Sequence, residues 1–563
     1  MYWKLWAAAA LSAGLLELPF PIAGPMPVWR TIFAWVGLVP LLWALLSHPG
    51  RKNESASRIG RPELSLGTAF FIAYFCGVLW YVGNCYWIRD TMLHYGDMPP
   101  LAPELITLLF SLVLGLYFGL FGLGIALVRR ATKSTRLALA FAPFLWTGLE
   151  LAAARITSVP WDQLGYSQVD NALVNQLAPW TGVYGISFVL VAVNALLAGG
   201  LLLRRDRKSK LAGRWAWTGC GAFLLLTAFT GVFVAPPKSA PTATAVLIQP
   251  NLDVGTANDW PGAEWGRNIA GFLHLAEEEC KSYIAGIPQT GAPMGEIICP
   301  PYPTHPDLVV WPESPAPFFE EEPRFRNSIA DVARAVQAPL IVNGIGSAYL
   351  PDEGGEQDYV SAMVFRADGT EAGRYDKIHL VPWGEYVPFP NFFFFARKLT
   401  GRVSRFTPGS ERKVFLLDTQ HDGMRRYGVF ICYESVFADE VRQFARLGAE
   451  VLVNVSDDGW YGDTSAPWQH FNMARMRAIE NRRWILRDTN SGVTAVIDPY
   501  GRVRQSIPRH QVDALPAQYA FRDDITFYTA HGDVFAWLCV ILSIGVVGWV
   551  FVKGGKREHK PNG

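Results

Sequence analysis

The chain has 563 residues, 50% of them hydrophobic, and a formal net charge of +1 at pH 7. That charge offers no electrostatic basis for binding nucleic acid. The apolar fraction, the 21 tryptophans and the length exclude an ordinary soluble protein of one domain.

Apolar stretches long enough to cross a bilayer recur through the N-terminal part of the chain. A membrane-spanning helix needs roughly 17–25 apolar residues. Such stretches lie at 5–22, 28–47, 66–88, 102–128, 136–154, 180–203, 215–235 and 532–552. They predict about eight transmembrane helices. ELPFPIAGPMPVW, between the first two, is either a hairpin tip or a break. A cleaved signal peptide is the alternative for the first stretch, although ELPFP makes a poor cleavage site.

The loops between these stretches alternate in charge. Clusters of Lys and Arg follow the second, fourth, sixth and last stretches, whereas loops such as RDTMLHYGDMPPLAPE are poor in both. The positive-inside rule then places both termini in the cytoplasm. It predicts membrane helices over 1–235, an extramembrane domain over 236–531 on the outer side, a last helix over 532–552 and a cytoplasmic tail over 553–563.

The extramembrane region changes to short apolar runs that alternate with amphipathic segments. TAVLIQP, DLVVWPE, PLIVNGI, YVSAMVF, YGVFIC and EVLVNVS read as buried strands. RFRNSIADVARAVQA, ADEVRQFARLGAE and WQHFNMARMRAIENRRWILRD read as helices, while FRADGTEAGRY and VIDPYGRV carry hairpin turns. This pattern predicts a layered α/β domain. It contains no GxGxxG, Walker loop or HExxH, so no cofactor and no metal are expected.

The cysteines separate into three groups. Four lie in predicted spans, where an inert buried thiol is expected: Cys76, Cys85, Cys220 and Cys539. Cys280 and Cys299 flank a Gly/Pro-rich stretch and form either a disulfide or two separate thiols. Cys432, in FICYESVF, remains unpaired.

Cys432 is a candidate nucleophile, with a small buried side chain as the alternative. A free thiol is mostly protonated at neutral pH, so a nucleophilic cysteine needs a base and a group that stabilises the oxyanion. His379 and His470 lie near polar motifs, but neither forms a local Cys–His protease signature.

Carboxylates are better placed to serve as the base. Glu313 follows the strand of DLVVWPE, where Pro312 stops the ladder, and Cys432 follows its own strand in the same manner. Lys377 and Glu385 fall in YDKIHLVPWGEYVP, a Pro/Gly-rich loop crowded with ionisable groups. Each of these residues alone could equally be solvated or structural.

Three motifs in this order, VVWPES, YDKIHLVPWGEYVP and ICYESVF, resemble the nitrilase superfamily, whose site is a Glu–Lys–Cys triad. With the N-terminal spans, the C-terminal span and NVSDDGWYGDTSAPWQHFNMARMRAIENRRWILRDTNSG, the whole chain is similar to the bacterial apolipoprotein N-acyltransferases. The resemblance implies a four-layer α-β-β-α sandwich. The region around Cys280 and Cys299 looks like an insertion relative to this pattern.

The resemblance also implies roles for individual residues. Glu313 would be the general base, Lys377 would stabilise the oxyanion, and Cys432 would carry the acyl group as a thioester. Glu385 and Glu434 match positions that support the triad, with a structural ion pair as the alternative.

Several aromatic residues match positions that the family uses near its site. Tyr433 matches an aromatic beside the nucleophile, and Trp260 and Trp460 resemble substrate-pocket aromatics, with a core position as the alternative. Four consecutive phenylalanines could enter the membrane interface as a lipid-gating arm or form a buried aromatic segment: Phe392, Phe393, Phe394 and Phe395.

The implied reaction transfers an acyl chain from a membrane phospholipid to the α-amine of a diacylglyceryl-modified cysteine at the N-terminus of an apolipoprotein. The implied location is the bacterial inner membrane, with the catalytic domain in the periplasm. Two alternatives stay open: a membrane-tethered nitrilase-type amidase, and a transporter or receptor whose outer domain only binds ligands. The few charges within the spans argue against the second, because transport sites lie near the midplane.

Overall fold

A computed structural model describes residues 2–47, 64–96, 98–99, 101–203, 241–254, 265–277, 306–313, 318–351, 355–386 and 406–558. Several residues and segments singled out in the sequence lie outside these ranges: span 215–235, Cys220, Trp260, Cys280, Cys299, Phe392, Phe393, Phe394 and Phe395.

The N-terminal region is helical. Its elements are α1 (Trp3–Glu17), a 3₁₀ segment (Val28–Trp35), α2 (Val39–Leu46), α3 (Leu66–Asn84), α4 (Trp87–Tyr95), α5 (Ala102–Thr132), α6 (Thr135–Ile156), two 3₁₀ turns (Leu164–Gln168 and Val174–Leu177), α7 (Ala178–Thr181) and α8 (Val183–Leu202). Within the described residues, five helical segments in this region are long and apolar enough to cross a membrane. The chain is thus built as a membrane protein, but the predicted count of eight spans is not established.

Two predicted spans are interrupted. The stretch 28–47 is a 3₁₀ segment followed by α2, which has Pro40 in its first turn, where the missing N–H costs no helical hydrogen bond. The stretch 66–88 divides after Asn84, because Cys85 leaves the helical conformation before α4 begins. Apolar composition alone does not reveal such breaks.

The extramembrane domain contains two six-stranded sheets. Its strands are β1 (Ala243–Gln249), β2 (Leu308–Val310), β3 (Leu340–Leu350), β4 (Gly355–Phe365), β5 (Glu371–Asp376), β6 (Val414–Thr419), β7 (Gly423–Ile431), β8 (Val451–Ser456), β9 (Ile485–Thr489), β10 (Thr494–Ile497), β11 (Val503–Ile507) and β12 (Asp513–Tyr519). The sheet orders are β12-β1-β2-β3-β4-β5 and β11-β10-β9-β8-β7-β6. Strands β1–β3 and β7–β9 run parallel within their sheets, so their carboxyl ends meet at common edges.

The two sheets pack face to face and are covered by helices on their outer faces. One apolar cluster, which includes Leu247, Val310, Val429 and Val453, joins strands of both sheets. A second cluster lies between the first sheet and two helices, α9 (Trp265–Glu277) and α10 (Pro323–Val336). Helices α11 (Ala438–Arg446) and α12 (Ala466–Asn481) cover the second sheet. The predicted four-layer α-β-β-α sandwich is confirmed. Two helices follow the sandwich: α13 (Phe527–His531) and α14 (Val534–Glu558).

The sequence prediction of one helix through WQHFNMARMRAIENRRWILRD is wrong in its last third. Helix α12 ends at Asn481, and Arg482 adopts a left-handed conformation with φ of 51°. The chain then enters β9, where Ile485 and Leu486 are fully buried in the second sheet. Burial within the sheet overrides the local helical pattern.

Helix α12 joins the extramembrane domain to the membrane domain. The Gln469 side chain accepts a hydrogen bond from Trp161 Nε1 at 2.8 Å and donates to the Asn84 carbonyl at 3.2 Å. Arg477 donates to the Tyr166 hydroxyl at 3.0 Å. Since α12 also packs against the turn that begins at Cys432, this contact holds that turn against the membrane domain.

Candidate active site

Three sequence-predicted residues lie just beyond the ends of strands. Glu313 follows β2 through Trp311 and Pro312, Lys377 directly follows β5, and Cys432 directly follows β7. Proline cannot donate to the ladder, so the chain leaves the sheet before Glu313. The first sheet thus presents Glu313 and Lys377, and the second sheet presents Cys432.

The ammonium group of Lys377 lies between two carboxylates. Lys377 Nζ is 3.2 Å from Glu313 Oε1 and 2.6 Å from Glu385 Oε1, and the lysine side chain has no exposed surface. The second oxygen of each carboxylate accepts a backbone hydrogen bond at 2.8 Å, from Asp457 N to Glu313 and from Val381 N to Glu385. Both carboxylates are therefore held in place from two sides.

The electrostatics of this group keep Lys377 charged. Burial alone would lower the pKa of Lys377, but Glu313 and Glu385 overcome this effect and raise it well above its ordinary value. Burial raises the pKa of Glu385, while Lys377 opposes that rise. The result is a buried ammonium group whose charge is available to an anion formed nearby.

Cys432 has a strained backbone and a protonated thiol. Its φ is 49°, in the left-handed region that a non-glycine residue rarely adopts, and it opens a 3₁₀ turn over Cys432–Val436. The residue is 5% exposed. Burial raises the pKa of the thiol well above its ordinary value, and the negative charge of Glu313 adds to this effect. The positive charge of Lys377 opposes both. A nucleophilic Cys432 therefore needs a base that removes its proton during the reaction.

Glu434 is fully buried and does not contact the Lys377 ammonium. Its Oε1 accepts hydrogen bonds from Tyr375 OH and Ile378 N, both at 2.7 Å, and from His379 N at 3.2 Å. Its Oε2 accepts from Ile431 N at 2.7 Å. One carboxylate thus joins the loop after Lys377 to the residue before Cys432. We refer to this arrangement, Glu434 with its four donors, as the brace.

The predicted aromatic residues are more widely placed. Tyr433 OH donates to the Ser158 carbonyl of the membrane domain at 3.3 Å, and its ring stacks on Trp161 at 6.5 Å. Trp460 is 44% exposed and packs edge-on against Tyr95 of α4. Tyr433 follows Cys432 directly in the chain and its side chain contacts the membrane domain, whereas Trp460 lies on an exposed surface facing α4.

The sequence did not indicate Asp458 or Arg487, which form a buried group with His470 beside the backbone of Cys432. His470 Nε2 lies 3.0 Å from the Cys432 carbonyl oxygen, and its Nδ1 lies 2.9 Å from Asp458 Oδ1. Arg487 donates to Asp458 Oδ2 at 2.7 Å. Arg487 lies in β9, whose five residues are all buried, and a charge buried in a strand needs a partner. The sequence predicted a helix through this segment, so the burial of Arg487 could not be read from it.

Comparison with known proteins identifies the family. Residues 12–196 match the family model of the apolipoprotein N-acyltransferase N-terminal domain, and residues 296–513 match that of the carbon–nitrogen hydrolases. An apolipoprotein N-acyltransferase of Geobacter metallireducens is 33% identical over 542 residues, which cover 94% of this chain and 92% of that protein. The chain belongs to the apolipoprotein N-acyltransferase family.

Other members of the family align along nearly the whole chain. The apolipoprotein N-acyltransferase of Methylococcus capsulatus is 30% identical over 98% of this chain and 97% of that protein. That of Chlorobaculum tepidum is 28% identical over 98% and 96%. The family predicted from three motifs is thereby confirmed, and the chain is an acyltransferase of the carbon–nitrogen hydrolase superfamily.

Among solved structures, an amidase from Nesterenkonia sp. covers 50% of this chain and 93% of its own, at 18% identity and a TM-score of 0.31. A Saccharomyces cerevisiae member of branch 10 of the nitrilase superfamily covers 50% of this chain and 92% of its own, at 17% identity and a TM-score of 0.31.

Proposed function

We propose that this apolipoprotein N-acyltransferase moves an acyl chain from a membrane phospholipid to the α-amine of a diacylglyceryl-modified cysteine at the N-terminus of apolipoproteins. The acyl group is carried meanwhile as a thioester on Cys432. The observation that supports this most directly is the buried Lys377 ammonium held between Glu313 and Glu385. It lies beside a cysteine whose raised pKa requires a base.

In the first step Glu313 takes the proton of the Cys432 thiol as the sulfur attacks the ester carbonyl carbon. The carbonyl oxygen becomes an oxyanion, which Lys377 and the backbone N–H after Cys432 stabilise. The C–O bond of the ester breaks as the oxyanion collapses. Glu313 returns its proton to the departing glycerol oxygen, which leaves a lysophospholipid and the acyl-enzyme.

In the second step the free α-amine of the lipoprotein attacks the thioester carbon and gives a proton to Glu313. The C–S bond breaks as the amide forms, and the proton restores the Cys432 thiol. Glu385 keeps Lys377 in place, Glu434 orders the loop and the nucleophile turn, and Tyr433 lines the site. Two lipid substrates that use one site in succession predict ping-pong kinetics.

The setting of the site suits a lipid substrate. We propose that residues 1–235 and 532–552 lie in the bacterial inner membrane, that residues 236–531 form a periplasmic catalytic domain, and that both termini, with the tail 553–563, are cytoplasmic. The charge alternation of the loops supports this orientation. Trp260 and Trp460 would line the substrate path. The segment Phe392, Phe393, Phe394 and Phe395 would contact lipid at the interface.

The first test uses the full-length protein in phospholipid nanodiscs and records its intact mass. The wild type should gain one acyl chain, and Cys432→Ala should gain none. Cys539→Ala is the matched control, since it removes another buried thiol without touching this site. A diacylated lipopeptide with a free α-amine should discharge the adduct, and its N-acetylated form should not. An adduct lost to water at the same rate with or without lipopeptide would indicate a hydrolase instead. No adduct on the wild type in nanodiscs would contradict the proposal.

A further inference from the structure

The backbone of Cys432 is held on both sides of its left-handed turn. A non-glycine residue in this region costs about 1 kcal/mol or more and persists only where its surroundings enforce it. On the N-terminal side, Ile431 N donates to Glu434 at 2.7 Å. On the C-terminal side, the Cys432 carbonyl oxygen lies 3.0 Å from His470 Nε2. The brace accounts for the first contact, whereas the reaction scheme gives no role to the second.

Both ring nitrogens of His470 face oxygens that accept hydrogen bonds, the Cys432 carbonyl on the Nε2 side and the Asp458 carboxylate on the Nδ1 side. A carbonyl oxygen can only accept, so the 3.0 Å contact requires a proton on Nε2. The same Nε2 lies 2.6 Å from the Ser435 hydroxyl, which can share that proton. On the other side of the ring, Nδ1 faces Asp458 Oδ1 at 2.9 Å, and Arg487 Nη2 lies 3.1 Å from Nδ1. Asp458 and Arg487 therefore fix how the ring is oriented.

The charges around His470 are balanced by fixed partners. Burial alone would raise the pKa of Asp458, but Arg487 and His470 hold it well below its ordinary value. The Asp458 carboxylate is thus an anion that receives Arg487 on one oxygen and His470 on the other. The His470, Asp458 and Arg487 side chains have no exposed surface, so water does not compete for these contacts.

The membrane domain closes the remaining side of the imidazole. Trp161, in the loop that follows α6, stacks on His470 with ring centroids 6.0 Å apart and an interplanar angle of 16°. Its indole N–H is held at 2.8 Å by Gln469, the neighbour of His470 on α12. The imidazole is therefore fixed by groups from both domains.

We propose that His470 is a positioning residue of the acyl-transfer reaction, acting through the peptide group between Cys432 and Tyr433. Its Nε2–H holds the carbonyl of that peptide and thereby keeps the turn that directs the Cys432 sulfur. The N–H of the same peptide belongs to Tyr433 and is the backbone donor that follows the nucleophile. A hydrogen bond to the carbonyl polarises the peptide and strengthens that N–H as an oxyanion donor. This role rests on the proposed function, and His470 itself touches no reacting atom.

The test compares acylation with a reaction that forms no oxyanion. In nanodiscs, single-turnover acylation of Cys432 is followed by intact mass, and alkylation of the same thiol by iodoacetamide is followed in parallel. The variants are His470→Leu, which removes the donor, His470→Asn, which is polar but too short to keep the contact, and His470→Gln, whose amide N–H can replace it. His510→Gln is the matched control, because His510 Nε2 pairs with Asp463 at 2.6 Å on the exposed surface.

We expect His470→Leu and His470→Asn to acylate about 10- to 100-fold more slowly, because a small displacement of reacting groups has effects of this size. Their alkylation should stay within about threefold of the wild type, since the Cys432 thiol, Glu313 and Lys377 are all retained and alkylation forms no oxyanion. His470→Gln should recover most of the acylation rate, and His510→Gln should match the wild type. If His470→Leu does not fold, His470→Asn replaces it in the comparison.

Two results would overturn the proposal: acylation at the wild-type rate without the donor, or acylation and alkylation falling together by the same factor. A wild type that forms no acyl adduct would instead count against the proposed function.

Discussion

The buried carboxylates near Cys432 are held in two ways, and their partners differ in kind. Glu313 and Glu385 share the ammonium group of Lys377, a charge on a side chain. Glu434 receives three backbone N–H groups and the Tyr375 hydroxyl, all of them neutral. Charges of the first group act on the thiol, and Glu434 holds the backbone of the residue before it.

This difference shows that one fold can use some buried carboxylates in the reaction and others to support the structure. A carboxylate that must gain and lose a proton is best balanced by a nearby charge, because that charge also stabilises the anions that form during the reaction. A carboxylate that must stay in place is best hydrogen-bonded by backbone N–H groups, because these groups are displaced only if the backbone itself is displaced. Substitution within the first group should therefore change reactivity, and substitution within the brace should change stability as well.

The largest expected effect comes from Glu313→Gln. Loss of a general base should slow acylation from phospholipid by about 10²- to 10⁴-fold. Because the Glu313 carboxylate raises the pKa of Cys432, its removal should lower that pKa, so the pH profile of iodoacetamide alkylation should move to lower pH. Acylation and alkylation thus change in opposite directions.

Glu385→Gln is the matched control, since it removes an equal charge from the other side of Lys377. Its alkylation profile should stay closer to that of the wild type, because Glu385 is not among the charges that raise the Cys432 pKa. Alkylation that slows at neutral pH in Glu313→Gln would contradict this account of the thiol.

An intermediate effect is expected from Glu434→Gln. The amide places an NH₂ group where one carboxylate oxygen now accepts from Ile431 N or from the loop after Lys377. An unsatisfied buried donor costs about 1–3 kcal/mol, so the thermal unfolding midpoint should fall. Acylation should slow by about tenfold through displacement of the reacting groups. A variant that lost activity with an unchanged unfolding midpoint would place Glu434 in the reactive group rather than in the brace.

The smallest effect is expected from Tyr375→Phe. This change removes one of the four donors to Glu434, and the packing of the ring against Phe444 is retained. The free energy of unfolding should fall by about 1 kcal/mol, the value of one hydrogen bond. Acylation should stay within about twofold of the wild type, because the backbone donors remain. A loss as large as that of Glu434→Gln would show that the brace depends on the hydroxyl group.

Much of the architecture was predictable because it is periodic or local. Apolar stretches separated by charged loops indicated a membrane domain, and short buried runs indicated the sheets, since both patterns repeat along the chain. The number of membrane spans was harder to predict from the sequence. The break between the 3₁₀ segment Val28–Trp35 and α2 leaves the apolar composition unchanged, and so does the end of α3 at Asn84.

The sequence by itself determined the family, the layered sandwich and the strand-end placement of Glu313 and Cys432, because motifs and strand ends are readable over a few residues. Only the tertiary structure decided what surrounds them. His470 reaches the Cys432 carbonyl across 38 positions, and Trp161 bonds to Gln469 across 308. Such contacts depend on how α12 lies between the second sheet and the membrane domain. The local periodicity of the sequence does not predict that packing, because the same helix pattern could be buried against many surfaces.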